Sequence, residues 1–184
     1  MDVTFVQLSD KDEGELVKFL TTNRFPFHRN AAPSEALVRQ LLLEGRFESD
    51  AVRTFWLIGD NQRMGLVILE DLDGPRPAFD LRLVEEFRGH GYGVPIVKAL
   101  AGHVFTTYPQ TQRLAGRTRA DNIAMRLTLL RAGFVKESHH RQAWELEDGP
   151  ALDAVTYVLL RSDWEAGTVT GFPWEDLEEP SAPS

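Results

Sequence analysis

Arg88-Gly89-His90-Gly91-Tyr92-Gly93 is flanked by two segments of different period. Before it, Phe79 to Val84 alternates Asp80 and Arg82 against apolar neighbours, the period-two pattern of a strand. After it, Val94, Ile96, Val97, Leu100, Ala101, Val104 and Phe105 recur with helical spacing until Tyr108-Pro109 closes the run. A strand, a glycine-rich turn and a helix start follow in that order. Such a start exposes backbone N–H groups without intrahelical partners and the positive end of the helix dipole, and phosphates bind there. Glycines at 89, 91 and 93 let a pyrophosphate approach the backbone and permit positive φ. Pro95 falls where its missing N–H costs nothing. Taken alone, the same glycines fit a plain turn capping a core helix equally well. The spacing G-x-G-x-G is not the dinucleotide G-x-G-x-x-G, and no Gly-Lys-Ser/Thr of a nucleotide-phosphate loop follows.

Working outward, Val3 to Leu8 reads as a strand, with Ser9-Asp10 as caps for a helix to about Thr22. Asn23 to Pro33, with Phe25, Phe27, His28 and Arg29 among prolines, reads as a loop carrying aromatic side chains. Ser34 opens a helix ending near Gly45, and Thr54–Ile58 and Met64–Leu69 form a hairpin around Gly59-Asp60-Asn61-Gln62. Beyond the glycine segment the pattern predicts a strand over Arg113–Thr118, a helix over Asn122–Ala132 stopped by Gly133, and strands over Phe134–Trp144 and Ala154–Leu160. Strands alternating with helices and finishing in strands predict an α/β (α+β) domain, a mixed sheet flanked by helices.

The 184 residues suffice for one domain with a sizeable core. Absence of cysteine excludes disulfides, thiolate zinc sites and a cysteine nucleophile. No apolar stretch approaches the length of a membrane span, and the first five residues lack the basic start and apolar run of a secretory signal, so a cytoplasmic location is expected. The net charge of −8 argues against nucleic-acid binding. Six acidic residues and no Lys or Arg lie from Asp163 onward, so the remainder carries only −2 and its bulk charge names no partner. A main domain over residues 1–164 and an acidic tail over 165–184 are therefore expected. The adjacent His139 and His140 face opposite sides of a strand and cannot easily share a metal; no metal site is expected.

Arg88-x-x-Gly91-x-Gly93 resembles the acyl-CoA pyrophosphate loop of the GNAT acetyltransferase superfamily. About thirty residues on, Asn122 to Phe134 is similar to that family's Asn-helix-Gly-Phe segment. The matching order covers about Ala78 to Trp144. The run Asp153 to Trp164, with Tyr157, Arg161 and Trp164, looks closest to the ribosomal-protein N-acetyltransferase branch.

The resemblance implies a single-domain GNAT fold with a mixed, mostly antiparallel sheet of about seven strands, and acetyl-CoA as co-substrate. It places Leu83, Val84 and Glu85 along the pantetheine arm, Arg88, Gly89, His90, Gly91, Tyr92 and Gly93 around the pyrophosphate, and Asn122 against the cofactor arm. Asn122 is equally a helix N-cap. The reaction implied is direct attack of an amine on the thioester, with the oxyanion held by a backbone N–H near Val84. Asp80 is the candidate base if it faces the cleft; the alternative is a charge on the solvent side of an alternating strand. His28 and Glu70 are other candidates, and Phe27 with His28 also suits a substrate-shaping loop. Many members protonate the leaving thiolate with a tyrosine where this chain has Leu129, leaving Thr128, Tyr157 and Tyr92 as substitutes. Arg117, Arg119 and Arg126 suit either an anionic group near the cofactor or a solvated face.

The expected activity is acetyl transfer to a primary amine on a protein N-terminus or a small molecule, with neither nucleic acid nor membrane as partner and a homodimer by analogy. The missing tyrosine also fits a CoA-binding regulatory or scaffold protein on the same fold.

Overall fold

Alternation along three N-terminal strands gives the sheet two different faces. The computed structural model describes residues 2–146 and 149–174. In it β1 (Val3–Gln7), β2 (Arg53–Gly59) and β3 (Gln62–Glu70) run antiparallel, with Phe55 opposite Val67 and Trp56 opposite Leu66. Phe55, Val67 and Leu69 point to one face and Trp56, Leu66 and Ile68 to the other, as a period of two requires. Helices α1 (Glu13–Thr22) and α2 (Glu35–Leu43) cover the second face, α1 through Leu16, Val17, Phe19 and Leu20. Ser34 caps α2 by accepting the Leu37 N–H.

The first face is covered by α3 (Gly93–Thr107), whose Val97, Leu100, Ala101, Val104 and Phe105 share one core with Phe79, Phe134 and Tyr157. Between β3 and α3 lies β4 (Ala78–Leu83), and β5 (Arg113–Arg119), α4 (Ile123–Arg131), β6 (Val135–Trp144) and β7 (Leu152–Leu160) complete the sheet in the order β1-β2-β3-β4-β5-β7-β6. Among the described residues the seven strands and their flanking helices are those expected, and only the β4–β5 pair is parallel.

That pair positions the site. β4 bonds to β3 along its whole length but to β5 only at Ala78–Ala115 and Phe79–Gly116. A Cβ on Gly116 would lie 2.9 Å from Leu129 Cδ2 and 3.1 Å from the Phe79 ring, so β4, β5 and α4 are in close contact where pairing stops. Beyond it the strands part, and Asp80 to Leu83 present an edge with no strand partner.

Behind β7, α5 (Arg161–Ala166) continues the ordered fold through the expected boundary at residue 164. Arg161 donates to the carbonyls of Phe105, Tyr108 and Thr111, and the buried Asp163 accepts from the hydroxyls of Thr168 and Thr170. Glu175, Asp176, Glu178, Glu179, Pro180 and Pro183 of the expected tail lie outside the described residues. No helix among the described residues is long and apolar enough to cross a membrane.

Candidate active site

Two cavities open from the gap between β4 and β5. The first, about 440 Å³, runs between the end of β4, the glycine loop and α4; the second, about 670 Å³, lies under the Asn23–Pro33 loop. Phe27, His28, Leu81, Arg82, Asn122 and Met125 line both, so the cavities meet at the parted edge. Two reactants entering from opposite ends would touch there.

The edge itself is usable backbone. Val84 N–H donates to Met64 O at 2.9 Å, fixing the phase of the antiparallel ladder. By alternation, Asp80 and Arg82 also turn their N–H groups to β3, whereas Leu81 and Leu83 turn theirs to the gap. The oxyanion donor expected near Val84 is thus already spent on β3. Leu81 and Leu83 supply the available N–H groups, and the residues facing the cleft are Leu81 to Leu83, not Leu83 to Glu85. Val84 packs against the α1–α2 core, and Glu85 opens an exposed 3-10 turn, Glu85–Phe87.

In the loop, Gly89 and Gly91 have φ of 78° and 82°, where a side chain would be strained. Among the described residues no backbone N–H from Gly89 to Val94 has a backbone partner. This row of N–H groups at the start of α3 fits the diphosphate of an acyl-CoA. Gly89, Gly91, Tyr92 and Gly93 line the first cavity, while His90 is exposed outside it. Arg88 also lines this cavity, but two of its three nitrogens are engaged elsewhere. Its Nε and Nη2 clamp Leu83 O at 2.9 and 2.7 Å, Nη2 also reaches Arg24 O, and the guanidinium lies over Phe25. Arg88 holds the β4 end and the aromatic loop together.

The second cavity centres on Asp80. Burial alone would push its carboxyl up, but the guanidinium of Arg82 at 2.8 Å and His28 Nε2 at 2.7 Å outweigh that and hold it well below the usual carboxylate range. Asp80 does face the cavity, but a carboxylate so stabilised is a poor proton acceptor, which corrects its expected role as base. Because the ionised Asp80 can only accept, His28 Nε2 carries a hydrogen, and in the neutral ring Nδ1 then holds the lone pair. Among the described residues Nδ1 has no hydrogen-bond partner. Glu70 lines the same cavity; desolvation raises its pKa despite Arg46 at 2.8 Å, which stands at an angle that leaves Oε1 without a hydrogen bond.

Asn122 is the N-cap, accepting from Met125 N at 3.3 Å and donating to Thr118 Oγ1 at 3.0 Å, and it lines both cavities. Leu129 is fully buried in the core and lines neither cavity. Tyr157 is buried too, accepting from Arg126 Nε at 3.2 Å, so it is no substitute acid. Thr128 and Tyr92 line the first cavity. Arg126 also binds Ala120 O, and Arg119 pairs with Asp121, donates to Pro26 O and lies over Phe27, tying the aromatic loop to β5. Neither arginine is free for a cofactor. His139 pairs with Asp153, and no metal-binding cluster occurs among the described residues. Sequence reasoning missed Leu81, Met125 and Trp144 as lining residues, and missed Arg82 as the partner of Asp80. Its signal was present, since two residues on in a strand is the same face.

A parted parallel strand pair, a free strand edge and a row of unpartnered loop N–H groups define a CoA-dependent acyltransferase. The acetyltransferase (GNAT) domain family model matches residues 2–135, and the chain belongs to the GNAT acetyltransferase family, as an N-acetyltransferase that takes acetyl from acetyl-CoA. No curated protein matches the chain. Among solved structures, a spermidine N-acetyltransferase chimera from Vibrio cholerae and hSSAT is 16% identical with a TM-score of 0.74, covering 90% of this chain and 99% of the other. The Vibrio cholerae spermidine N-acetyltransferase in complex with CoA and spermine is 17% identical with a TM-score of 0.71, covering 89% and 98%. At these identities the likeness is one of fold, and it does not single out the ribosomal-protein branch.

Proposed function

We propose that the chain transfers acetyl from acetyl-CoA directly to a primary amine held in the second cavity, with His28 as the proton acceptor and Asp80 as its positioning residue. The supporting observation is the junction: His28 lies where the two cavities meet, and its hydrogen bond to Asp80 selects, for the neutral ring, the tautomer that leaves Nδ1 to accept a proton. In this reading the loop N–H groups from Gly89 to Val94 hold the diphosphate, and the edge of Leu81 to Leu83 pairs with the pantetheine arm. The amine lone pair forms the C–N bond as the carbonyl electrons move to oxygen, where the N–H of Leu81 or Leu83 stabilises the charge. The amine's proton passes to His28, directly or through a water. Collapse then breaks the C–S bond, and the thiolate takes a proton from solvent in the first cavity. No covalent enzyme intermediate is involved.

His28→Gln tests this, because it keeps a polar group while removing a titratable base. Turnover should fall by roughly 10²–10⁴-fold, the range of general base catalysis, while acetyl-CoA affinity measured by calorimetry stays unchanged. Unchanged turnover would remove His28 from the mechanism. Acetyl-CoA binding without turnover of any amine by the parent protein would return the scaffold reading.

A further inference from the structure

Among the described residues, cationic side chains outnumber carboxylates in the lining of the second cavity. Four arginines line it, Arg29, Arg46, Arg82 and Arg117, against three carboxylates, Glu70, Asp71 and Asp80. Arg82 is engaged by Asp80, Arg46 stands against Glu70, and Arg29 pairs with Glu145 at the surface. Arg117 pairs with no carboxylate among the described residues. One of its nitrogens donates to Ala143 O at 3.1 Å, and its guanidinium lies 5.7 Å from the ring centre of Trp144, which keeps the group in place.

Its position relative to the reacting centre follows from register. Phe79 and Gly116 are the last paired residues, so Asp80 and Arg117 come next, facing each other across the parted strands. Phe79 packs into the α3 core, and a Cβ on Gly116 would point at the Phe79 ring. Alternation therefore directs both Asp80 and Arg117 to the opposite face, the one with the second cavity. An exposed cation thus stands across the cavity from the His28–Asp80 pair.

Among the described residues three buried polar atoms of the lining side chains make no hydrogen bond: His28 Nδ1, Trp144 Nε1 and Glu70 Oε1, the last with Arg46 as an ion-pair partner at 2.8 Å. Two can accept hydrogen bonds and one can donate. Buried polar groups are ordinarily satisfied, and small side-chain shifts that turn these atoms to the cavity would let a ligand bringing both donors and an acceptor oxygen complete them.

Resting on the transfer reading above, we propose that the acceptor is a primary amine that also bears an anionic oxygen group, a carboxylate on a molecule of amino-acid to dipeptide size. Its amine meets His28 and Glu70, and its carboxylate meets the Arg117 guanidinium and the Trp144 indole N–H. The guanidinium fork suits two carboxylate oxygens. A linear polyamine would present further ammonium groups to a cavity whose described residues carry no surplus negative charge, and would leave Arg117 unanswered.

The test is steady-state acetyl-CoA turnover by the full chain with amino acids and dipeptides, each beside its C-terminal amide and its decarboxylated amine. Spermidine and an aminoalkyl phosphonate complete the set. Expected is a kcat/KM at least tenfold higher for carboxylate-bearing acceptors than for their uncharged counterparts, with spermidine among the poorest. Arg117→Gln should erase that ratio by raising KM for the carboxylate-bearing acceptors alone, with acetyl-CoA binding retained; Trp144→Phe should narrow it. Phosphonates outrunning carboxylates would keep Arg117 as the anion site but overturn the carboxylate. Equal or better use of uncharged amines or spermidine overturns the proposal and leaves acetyl transfer standing, as does a ratio unaltered in Arg117→Gln. Acetyl-CoA binding with no acceptor consumed overturns it as well, whereas failure to bind acetyl-CoA removes the transfer reading beneath it.

Discussion

Replacing Gly91 with alanine separates the cost of the loop's backbone from every contact around it. Gly91 has φ of 82°, and nothing lies within 4 Å of the place its Cβ would occupy. The substitution therefore meets no steric barrier, and its whole cost is that of an L-residue in the left-handed region, about 1–2 kcal/mol. That cost can fall in two places. If the free loop already holds this shape, the folded state bears it, and the melting temperature drops by roughly 2–8 °C for a chain of this size. If the free loop relaxes to negative φ, stability is preserved and acetyl-CoA must restore the strained shape. Its Kd then rises about 5- to 30-fold. Calorimetric titration with acetyl-CoA and thermal unfolding of the same variant measure both parts, and their sum should match the backbone cost. Gly167→Ala is the control: φ is 67° at the C-cap of α5, again with nothing within 4 Å, but it is absent from both cavity linings. It should lower the melting temperature and leave Kd unchanged. If Gly91→Ala alters neither quantity, the loop does not hold this positive φ in the free or the bound protein, and the diphosphate assignment built on its shape falls.

Glu70 has a pKa raised by desolvation, so the folded state binds its proton more tightly than the unfolded chain does. The stability tied to that proton is fully present below the unfolded pKa and is lost as pH rises through the higher folded value. Glu70→Gln should then flatten the decline in melting temperature across the weakly acidic range and raise it near neutrality; a lower melting temperature at pH 7 would mean that the Arg46 contact outweighs burial. Gly65→Ala places a methyl against Arg82 O and within 3.0 Å of Leu83 Cα, both backbone. It should cost about 1–3 kcal/mol on thermal or denaturant unfolding and shift the cleft edge, weakening acetyl-CoA binding; an unperturbed protein would contradict the tight β3–β4 approach. Leu129→Tyr should reduce stability on thermal unfolding without increasing turnover, since the side chain is buried against Gly116 and Phe79; a faster enzyme would show that the position reaches the thiolate after all.

The strand–glycine turn–helix order around Gly89 to Gly93 was legible in the sequence because each part is a local property. Period two, period 3.6 and glycine's freedom at positive φ operate within a few residues. The same holds for the Ser34 and Asn122 caps, where a side chain reaches a backbone N–H three residues on. The seven strands could likewise be counted from periodicity and turn residues. Side-chain chemistry at the site was not legible in this way. Asp80 was read as a base because its residue type and strand position allow it, but its protonation depends on Arg82 on the same face and on His28, fifty-two residues earlier in the chain. Arg88 was read as a phosphate ligand because it adjoins the glycines, and only the nearby carbonyls of Leu83 and Arg24 show where its Nε and Nη2 donors go.

The sequence by itself determined the elements, their order and the loop able to cradle a diphosphate, because backbone propensities and hydrophobic periods are set by neighbours along the chain. Only the tertiary structure decided which N–H groups of β4 remain available, that Leu129 is core, and that His28, Asp80 and Arg117 border one cavity. Those outcomes turn on where β4 and β5 cease to pair and on charges brought together from distant segments, and electrostatic energies depend on separation in space, not on separation along the chain.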